Sequence, residues 1–301
     1  MNVIITGGRG FVGSWLQQEF SQAWPQARVE SWDLPQVDIT KPETYESKLT
    51  ALLPDWIVHL AAIASVPAAN KNPQLVEQVN VGGTEQLLSA VQRLKLPTKV
   101  LFTSTADIYG KAVHTAAGKP LLELPLAEAR PSNPYAQSKY KAEQLIEEQF
   151  KDFVLRVRPF PHIGPGQGVG FVTADFASQI AAIEKGNQAA VLKVGNLSAE
   201  RDFTDVRDVV RAYRLLMEQG KTGEVYHVAS GVGTSIQNIL DQLLSEASVD
   251  ISVEEDKEKM RAADTPVLVG NAQKLRDLTG WQPEITLQQS LQEILDWWRA
   301  R

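Results

Sequence analysis

The chain has 301 residues, enough for one large α/β unit or two coupled domains, and its 43% hydrophobic and 22% charged residues are typical of a globular protein. It has no cysteine, which excludes a disulfide framework, a thiolate metal site and a cysteine nucleophile. The formal net charge of −6 argues against non-specific binding to nucleic acid. No basic leader precedes the first apolar run, and no stretch approaches the roughly 18 apolar residues of a membrane helix. We therefore expect a cytoplasmic protein with no membrane or nucleic-acid partner and no metal site.

Five short apolar runs in the first half have the length and composition of buried strands. They lie at 2–6, 28–33, 56–61, 99–104 and 153–158. Segments with helical periodicity lie between them, among them 13–23, 74–94 and 134–150. Strands separated by helices at this spacing predict parallel βαβ units with right-handed crossovers, in which ligands bind at the carboxyl ends of the strands.

The pattern changes near residue 160. The stretch RPFPHIGPGQGVG is dense in proline and glycine, which predicts a loop. Further elements follow as helices at 173–185, 205–219, 235–247 and 286–299, with strands at 190–195 and 223–229. The whole pattern predicts an α/β fold, with a Rossmann-type doubly wound parallel sheet and a smaller, interleaved α/β C-terminal domain.

A glycine-rich turn joins the first strand to the first helix. The sequence IITGGRGFVG places Gly7, Gly10 and Gly13 at G-x-x-G-x-x-G spacing, which lets backbone N–H groups approach a pyrophosphate at the helix N-terminus. Phe11 and Val12 begin that helix and complete the predicted cofactor-binding loop. A glycine triplet alone also fits a plain β–α turn, so the interpretation depends on its place in a βαβ unit.

An acidic residue, Asp33, ends the second predicted strand. A carboxylate at this point binds both ribose hydroxyls of adenosine and repels a 2′-phosphate, so NAD(H) is the preferred cofactor. Arg9, inside the glycine turn, could instead reach a 2′-phosphate, which keeps NADP(H) as the alternative. A solvent-facing loop arginine is the simpler interpretation of Arg9.

A helix beginning near Pro134 carries Tyr135 and Lys139, four residues apart and therefore on one helix face. An ammonium beside a phenol lowers the pKa of the tyrosine, which makes it usable as an acid or base near neutral pH. Of the six tyrosines, only Tyr135 has a lysine four residues later. Thr105, at the end of a predicted strand, would hydrogen-bond the reacting oxygen of a substrate near Tyr135. These three residues form the predicted catalytic group.

Several motifs together resemble the extended short-chain dehydrogenase/reductases that act on nucleotide sugars. They are the glycine triplet, HLAA (59–62), NVGGT (80–84), TSTADIYG (103–110), Tyr135-x-x-x-Lys139 and RDFTDVRD (201–208). The resemblance covers nearly the whole chain. The tail, with GEVYHVASGVGTSIQNIL (223–240), resembles the GDP-mannose branch, which contains GDP-mannose 4,6-dehydratases and GDP-4-keto-6-deoxy-D-mannose reductases. The segment GPGQGVGFVTADFASQIAAIEKG (164–186) and the short total length are more similar to the reductases.

The resemblance implies roles for further residues around the cofactor. Asp38 and Ile39 would lie beside the adenine. Leu60 and Ala61 would lie against the ribose and the phosphates of the cofactor. Lys139 would hold the nicotinamide ribose in addition to supporting the tyrosine.

The resemblance also implies a site for a GDP-sugar. Arg201 and Arg261 match arginines that grip the nucleotide diphosphate, a role that suits the planar guanidinium, whereas a surface salt bridge is the plain alternative for either. Relatives carry asparagine after RPF, where this chain has Pro161 without an amide. His162 or the loop backbone would take its place in holding the sugar. Asn80 would tie a helix to a neighbouring strand.

The implied organisation has two domains and a dimer. The dinucleotide-binding domain would comprise 1–160 with a returning segment at about 205–230, and the nucleotide-sugar-binding domain 161–204 and 231–301. Relatives pair as homodimers through a four-helix bundle, to which the segments 74–94 and 134–150 would contribute.

Three functions stay open on the sequence. The first is an NAD(P)H-dependent reduction of the C4 ketone of GDP-4-keto-6-deoxy-D-mannose to GDP-D-rhamnose, in which Tyr135 supplies the proton and Thr105 polarises the carbonyl. Lys139 would support the tyrosine, and Asp107 would orient the sugar. The second is a 4,6-dehydratase or epimerase, although dehydratases resemble one another in having glutamate as the base at the Asp107 position, and aspartate is one methylene shorter. The third is a non-catalytic dinucleotide-binding scaffold, which the intact Tyr135 and Lys139 disfavour.

Overall fold

The computed structural model of the protein describes residues 1–112, 119–256 and 265–301. The strands are β1 (Asn2–Thr6), β2 (Arg28–Trp32), β3 (Trp56–His59), β4 (Lys99–Thr103), β5 (Val154–Pro159), β6 (His162–Ile163), β7 (Val191–Val194), β8 (Glu200–Asp202), β9 (Thr204–Asp205), β10 (Val225–Val228), β11 (Gly233–Ser235), β12 (Ser252–Glu255) and β13 (Val267–Leu268). The helices are α1 (Phe11–Ala23), α2 (Glu46–Leu52), α3 (Val66–Lys71), α4 (Pro73–Glu77), α5 (Thr84–Arg93), α6 (Pro134–Leu145), α7 (Val172–Glu184), α8 (Val206–Gln219), α9 (Ile236–Ser245), α10 (Gln273–Thr279) and α11 (Leu287–Arg299). Shorter turns are π-helical at Gln78–Gly83 and Ile146–Phe150, and 3₁₀-helical at Pro42–Thr44, Ala106–Tyr109 and Leu126–Glu128.

The central sheet has six strands in the order β10–β5–β4–β3–β1–β2, and every pair in it is parallel. The five strands predicted in the first half all belong to this sheet. The strand predicted at 223–229 supplies β10, which pairs with β5 at one edge. The predicted parallel α/β architecture is therefore confirmed.

Residues that alternate along each strand face opposite helical layers. Val3, Ile5 and Leu101 lie in the apolar cluster formed with α1 and α8. Ile4 and Val100 lie in the cluster formed with α5 and α6. Strands that are buried on both faces have nearly continuous apolar sequences, which is why these strands could be predicted from the sequence.

The order of the strands reverses direction at β1. The chain places β2 on one side of β1 and β3, β4 and β5 on the other. In doubly wound sheets, ligands bind in the crevice outside the carboxyl ends of the strands at such a reversal. The glycine turn follows β1, and Leu60 and Ala61 follow β3, so the fold brings both predicted cofactor segments to this crevice.

The second half of the described chain adds three small sheets, ordered β11–β8–β13, β12–β7 and β6–β9. An apolar cluster between α7, α9 and α11 forms a core of its own, with Phe176, Ile239 and Leu295 among its buried members. The loop predicted after residue 160 contains β6, which pairs with β9. This strand was not predicted because its partner lies about 40 residues away in sequence and local composition does not report it. The two-domain division stays a prediction.

The segment 74–94 is not one regular helix. Asn72 caps α4 by accepting the N–H of Leu75, Pro73 occupies its first position, and a π-helical turn then separates α4 from α5. Proline and an asparagine cap are typical of a helix N-terminus, so the start agrees with the sequence. None of the described helices is long and apolar enough to cross a membrane.

Candidate active site

The glycine turn after β1 has no room for a side chain at two of its positions. Gly7 has φ of +72°, and a Cβ added there would lie 2.8 Å from the backbone nitrogen of Ala61. A Cβ at Gly13 would lie 2.4 Å from the carbonyl oxygen of Gly7. Glycine is required at both positions because the neighbouring atoms belong to the backbone and cannot rotate away. The turn is consequently held close to the segment that follows β3.

The N-terminus of α1 is open to an anion. Its N-cap is Gly10, which brings no side-chain cap, and the first turn carries no acidic residue. A groove of about 360 Å³ passes this end of the helix, and its lining includes Arg9, Phe11, Pro165 and Gly166. Unpaired N–H groups and the helix dipole favour a phosphate at such a point. The residues present therefore fit the pyrophosphate of a nicotinamide dinucleotide.

Asp33 and Arg9 lie together where β2 ends. The carboxylate of Asp33 accepts a hydrogen bond from the backbone N–H of Arg9 at 2.8 Å and from the hydroxyl of Ser31 at 3.2 Å. The Arg9 guanidinium lies 4.0 Å from the same carboxylate oxygen and donates to the carbonyl oxygen of Leu34. The arginine is held against the end of β2, although its side chain is 60% exposed. Both groups proposed to select the cofactor are thus at one place.

The other residues that were predicted to contact the cofactor lie at the same edge or close to it. The backbone N–H of Leu60 donates to the carbonyl of Thr6, and that of Ala61 donates to the Thr6 hydroxyl at 3.2 Å. The Asp38 carboxylate accepts from Thr40, and these hydrogen bonds hold its pKa below the usual range. Ile39 is buried, and its side chain occupies the space beside Gly83. The roles of these residues toward a cofactor stay predictions.

The predicted catalytic residues meet at the carboxyl end of β4. Thr105 is 8% exposed, and its Oγ1 caps the short turn Ala106–Tyr109 by accepting the N–H of Asp107 at 3.1 Å. Tyr135 lies in the first turn of α6, where Pro134 occupies the first position. A hydrogen bond from Thr105 acts on the Tyr135 hydroxyl, and the charge of Asp107 also reaches it. The structure therefore brings Thr105, Asp107 and Tyr135 together, as predicted.

Lys139 lies one turn after Tyr135 and is 3% exposed. Its Nζ donates to the carbonyl oxygen of Thr103 at 2.7 Å and lies 4.8 Å from the centroid of the Phe102 ring. Burial lowers the pKa of Lys139 to about 7, against the opposing influence of Glu143. The ammonium is thus fixed at the end of β4, beside the turn that Thr105 begins.

The predicted direction of the Tyr135 pKa is wrong for the protein without ligands. Burial and the neighbouring charge of Asp107 raise the pKa of Tyr135 above its ordinary value, and the hydrogen bond with Thr105 only partly opposes this. Lys139 does not contribute because its ammonium bonds the Thr103 carbonyl. Tyr135 is therefore protonated at neutral pH.

A buried chain of hydrogen bonds that the sequence analysis missed runs under the cofactor crevice. The Thr6 hydroxyl lies 2.7 Å from His59 Nδ1, and His59 Nε2 lies 3.0 Å from the hydroxyl of Thr84. Thr84 donates its own hydrogen to the carbonyl of Asn80, so it must accept from Nε2–H, and His59 Nδ1 must accept from Thr6. Burial lowers the pKa of His59 to about 3, which keeps this neutral tautomer. A histidine inside the apolar run WIVHLA was the available signal for it.

Asn80 continues this chain toward the catalytic helix. Its side-chain oxygen accepts the N–H of Ile63 at 2.8 Å, and its amide donates to the carbonyl of Ile63 and to the hydroxyl of Ser138. Ser138 in turn donates to the carbonyl of Tyr135 at 2.7 Å. Asn80 thus ties the π-helical turn to the loop after β3, as the resemblance implied, and also to α6.

The proline loop lies against the cofactor helix. The ring of His162 stacks parallel to that of Phe11, with centroids 6.2 Å apart, and His162 Nδ1 lies 3.1 Å from the carbonyl oxygen of Phe160. The carbonyl of Pro161 accepts the N–H of Thr204, so the backbone that replaces the usual asparagine pairs with β9. Burial lowers the pKa of His162. Its part in holding a sugar stays a prediction.

Of the two arginines predicted to grip a diphosphate, Arg201 lies in β8 and donates to the carbonyl of Thr265 at 2.8 Å. Arg261 lies outside the described residues. The next residue after Arg201, Asp202, is fully buried and accepts hydrogen bonds from the backbone of Ser230, Gly231 and Gly270. The acid of the RDF motif thus joins three chain segments and has a structural role.

No cluster of three or more metal-ligating side chains occurs in the described parts of the chain.

Comparison with known proteins identifies the family. A family model described as GDP-mannose 4,6 dehydratase matches residues 21–294. The GDP-6-deoxy-D-mannose reductase of Pseudomonas aeruginosa is 39% identical, over 99% of this chain and 97% of its own length. The chain belongs to the GDP-mannose 4,6-dehydratase family. The resemblance drawn from its motifs is therefore confirmed.

Further members of this family and other nucleotide-sugar enzymes share the fold. The GDP-6-deoxy-D-talose 4-dehydrogenase of Aggregatibacter actinomycetemcomitans is 31% identical, over 93% of this chain and 92% of its own. The solved structure of RMD from Pseudomonas aeruginosa complexed with NADPH is similar with a TM-score of 0.89 at 38% identity, covering 100% of this chain and 99% of that one. The UDP-glucose 4-epimerase of Thermus thermophilus, solved in complex with NAD, has a TM-score of 0.85 at 26% identity and covers 99% of each chain. The Rossmann-type assignment is confirmed.

Proposed function

We propose that the protein is an NAD(P)H-dependent reductase that converts the C4 ketone of GDP-4-keto-6-deoxy-D-mannose into the alcohol of GDP-D-rhamnose, which is GDP-6-deoxy-D-mannose. The observation that carries the proposal is the identity of 39% with a GDP-6-deoxy-D-mannose reductase over nearly the full length of both chains. The convergence of Thr105, Tyr135 and Lys139 at the end of β4 supports it, because these side chains suit proton transfer to a carbonyl oxygen.

Each of the three catalytic residues has a separate role in the reduction. Bound NAD(P)H supplies the hydride that adds to C4. Thr105 Oγ1 accepts the N–H of Asp107, and its own hydrogen, which bonds the Tyr135 hydroxyl in the structure, would turn to the ketone oxygen of the substrate and polarise it. Tyr135 then gives its phenolic proton to that oxygen as negative charge develops there, so one ketone, one hydride and one proton give one alcohol. Lys139, fixed on the Thr103 carbonyl, would hold the nicotinamide ribose of the cofactor.

The residue at position 107 favours reduction over dehydration. Dehydratases of this kind resemble one another in having glutamate as the base at this position. Asp107 is one methylene shorter than that glutamate, and a misplacement of about 1 Å can cost about 100-fold in rate. Asp107 is therefore assigned to orienting the sugar.

For the cofactor, we propose that the site accepts NADP(H) as well as NAD(H). The Asp33 carboxylate, which would repel a 2′-phosphate, already accepts the backbone N–H of Arg9 and has its guanidinium 4.0 Å away. The positive charge offsets the repulsion and offers a fork of donors to a phosphate. The similar structure from Pseudomonas aeruginosa was solved with NADPH.

A second candidate product differs only in configuration at C4. The relative from Aggregatibacter actinomycetemcomitans is named for GDP-6-deoxy-D-talose, and it is 31% identical to this chain. The same Thr105, Tyr135 and Lys139 would serve, with the sugar presenting its other face. The higher identity with the 6-deoxy-D-mannose enzyme favours the rhamnose product.

The functional test uses two substrates with the purified protein. With GDP-4-keto-6-deoxy-D-mannose and NADPH or NADH, absorbance at the nicotinamide band should fall and NMR should show GDP-D-rhamnose. With GDP-mannose and oxidised cofactor, no 4-keto product should form. Formation of the 4-keto sugar from GDP-mannose would contradict the proposal and establish the dehydratase, and a talose product would establish the second candidate.

We also propose that the protein is a homodimer that pairs through the helical segments 74–94 and 134–150. The proposal is supported by the family, and the exposed Leu75 on α4 offers an apolar contact at one end of this surface. Light scattering after gel filtration should give about twice the chain mass of 33.2 kDa. A mass of one chain at micromolar concentration would contradict it.

A further inference from the structure

A buried network that the proposed mechanism does not use joins two parts of the active site. Glu143 on α6 and Arg158 on β5 form a bidentate ion pair, with Nε–Oε1 at 3.0 Å and the second pair of atoms at 2.8 Å. Arg158 also donates to the hydroxyl of Tyr109 at 2.9 Å, and that hydroxyl contacts Nε2 of His227 on β10. All four side chains are at most 1% exposed. We call Glu143, Arg158, Tyr109 and His227 the Arg158 network.

The hydrogens of Tyr109 and His227 in this network each have one place. Nδ1 of His227 lies 3.2 Å from the carbonyl oxygen of Asn271, which can only accept, so Nδ1 carries the hydrogen and Nε2 accepts. Burial lowers the pKa of His227 to about 3 and raises that of Tyr109 to about 12, so both are neutral. Tyr109 therefore accepts from Arg158 and donates to His227. A fully satisfied buried network of this kind is rigid.

The network ends on the two segments that carry the catalytic residues. Tyr109 is the last residue of the turn Ala106–Tyr109, which Thr105 caps and which contains Asp107. Glu143 lies on α6, one turn after Lys139 and two turns after Tyr135, on the same face of the helix. Arg158 spans the distance between them. The chain itself does not connect these segments closely, because more than 20 residues separate Tyr109 from Tyr135.

We propose that Tyr109 is a positioning residue for the reduction, whose hydroxyl, held between Arg158 and His227, fixes the turn of Thr105 and Asp107 relative to the helix of Tyr135 and Lys139. The inference rests on the proposed function. The ketone oxygen must lie within hydrogen-bond reach of both Thr105 and Tyr135, so the separation of the two segments sets the rate of the chemical step. The Tyr109 ring itself is buried, edge-on to that of His227 with centroids 5.5 Å apart and 5.1 Å from the guanidinium carbon of Arg158, so the hydroxyl must be tested with the ring kept in place.

The test compares two tyrosine-to-phenylalanine variants of the full-length protein. Tyr109→Phe keeps the buried ring and removes the hydroxyl. Tyr226→Phe is the matched control, because Tyr226 precedes His227 on β10 and is 2% exposed. Its hydroxyl accepts the N–H of Lys221, which lies outside the network. The measurement is the single-turnover rate of NADPH oxidation with GDP-4-keto-6-deoxy-D-mannose, together with the dissociation constant for NADPH and the melting temperature.

We expect Tyr109→Phe to slow the single-turnover rate by about 10- to 100-fold while NADPH binding stays within twofold. Tyr226→Phe should stay within twofold of the wild type in both. In a Thr105→Val background, Tyr109→Phe should add less than about threefold, because the hydroxyl that it positions is already gone. Arg158→Lys keeps a positive charge beside the Glu143 carboxylate but removes the hydrogen bond to the Tyr109 hydroxyl. It should slow the single-turnover rate as Tyr109→Phe does, and it serves as the test if Tyr109→Phe does not fold.

A rate for Tyr109→Phe within twofold of the wild type would overturn the inference. A full multiplicative effect in the Thr105→Val background would overturn it as well, because Tyr109 would then act independently of the turn. The wild-type rate reports on the proposed function, and the ratios between variants report on this inference, so the two are distinguished in one set of measurements.

Discussion

Replacing Gly13 with alanine tests whether the cofactor loop depends on close backbone approach. The new Cβ would lie 2.4 Å from the carbonyl oxygen of Gly7 and 2.5 Å from Cα of Gly8. Ordinary contact begins near 3.4 Å, so the turn between β1 and α1 must move by about 1 Å. Overpacking of this kind costs about 1–3 kcal/mol. If the strain falls on the bound state, NADPH binding should weaken by roughly 5- to 150-fold.

The assay is a titration of the protein with NADPH, followed by nucleotide fluorescence, with thermal unfolding measured in parallel. Gly82→Ala is the matched control, because a Cβ added there meets no described atom within 4 Å beyond its chain neighbours and its own helix backbone. The control should bind NADPH as the wild type does. If Gly13→Ala bound NADPH within threefold of the wild type at an unchanged melting temperature, the account of the glycine turn as a tight backbone cradle would be refuted.

Three further predictions concern the tyrosine, the cofactor and pH. Tyr135→Phe should lower kcat by about 100- to 10,000-fold in steady-state kinetics, while titration should show NADPH affinity nearly unchanged. Retained activity would exclude Tyr135 as the proton donor. Arg9→Ala should weaken NADPH binding by about tenfold and leave NADH binding nearly unchanged. Arg28 has an exposed side chain, and Arg28→Ala, the control, should alter the binding of neither cofactor. An equal loss of affinity for both cofactors in Arg9→Ala would contradict a contact between Arg9 and the 2′-phosphate. His59 has its pKa lowered to about 3 from 6.5, so between these values the unfolded chain binds a proton there that the folded protein does not. This histidine by itself lowers the free energy of unfolding by about 1.4 kcal/mol for each pH unit of acidification, and His227, whose pKa is also lowered to about 3, adds to the slope. Urea unfolding at pH 6.5, 5.5 and 4.5 should show a flatter slope for His59→Gln, and an unchanged slope would contradict the assignment.

Much of the cofactor half could be predicted from local sequence. The strands of a parallel sheet are buried on both faces, so runs such as NVIIT and KVLFT were visible without any knowledge of their partners. The glycine turn and the pair Tyr135 and Lys139 were visible because their spacing follows from the geometry of a single turn or a single helix. Signals of this kind lie within a few residues of one another.

The rest depends on pairs that are distant in sequence. Asp202 accepts the N–H of Gly270, 68 residues away, and no local pattern distinguishes it from an acid that faces a ligand. The direction of the Tyr135 pKa could not be predicted either, because it depends on burial and on where the Lys139 ammonium bonds. Arg158 is the intermediate case, since a charged residue at the end of the apolar run FVLRVR indicates a buried partner without identifying it as Glu143.

The measurement that tests the central claim most directly is the fate of hydride label from the cofactor. The wild-type protein is incubated with GDP-4-keto-6-deoxy-D-mannose and NADPH carrying deuterium at the transferred position, and the sugar is examined by NMR. The account predicts GDP-D-rhamnose with one deuterium at C4 for each NADPH oxidised. A product without deuterium at C4, or consumption of GDP-mannose with no net oxidation of NADPH, would contradict it.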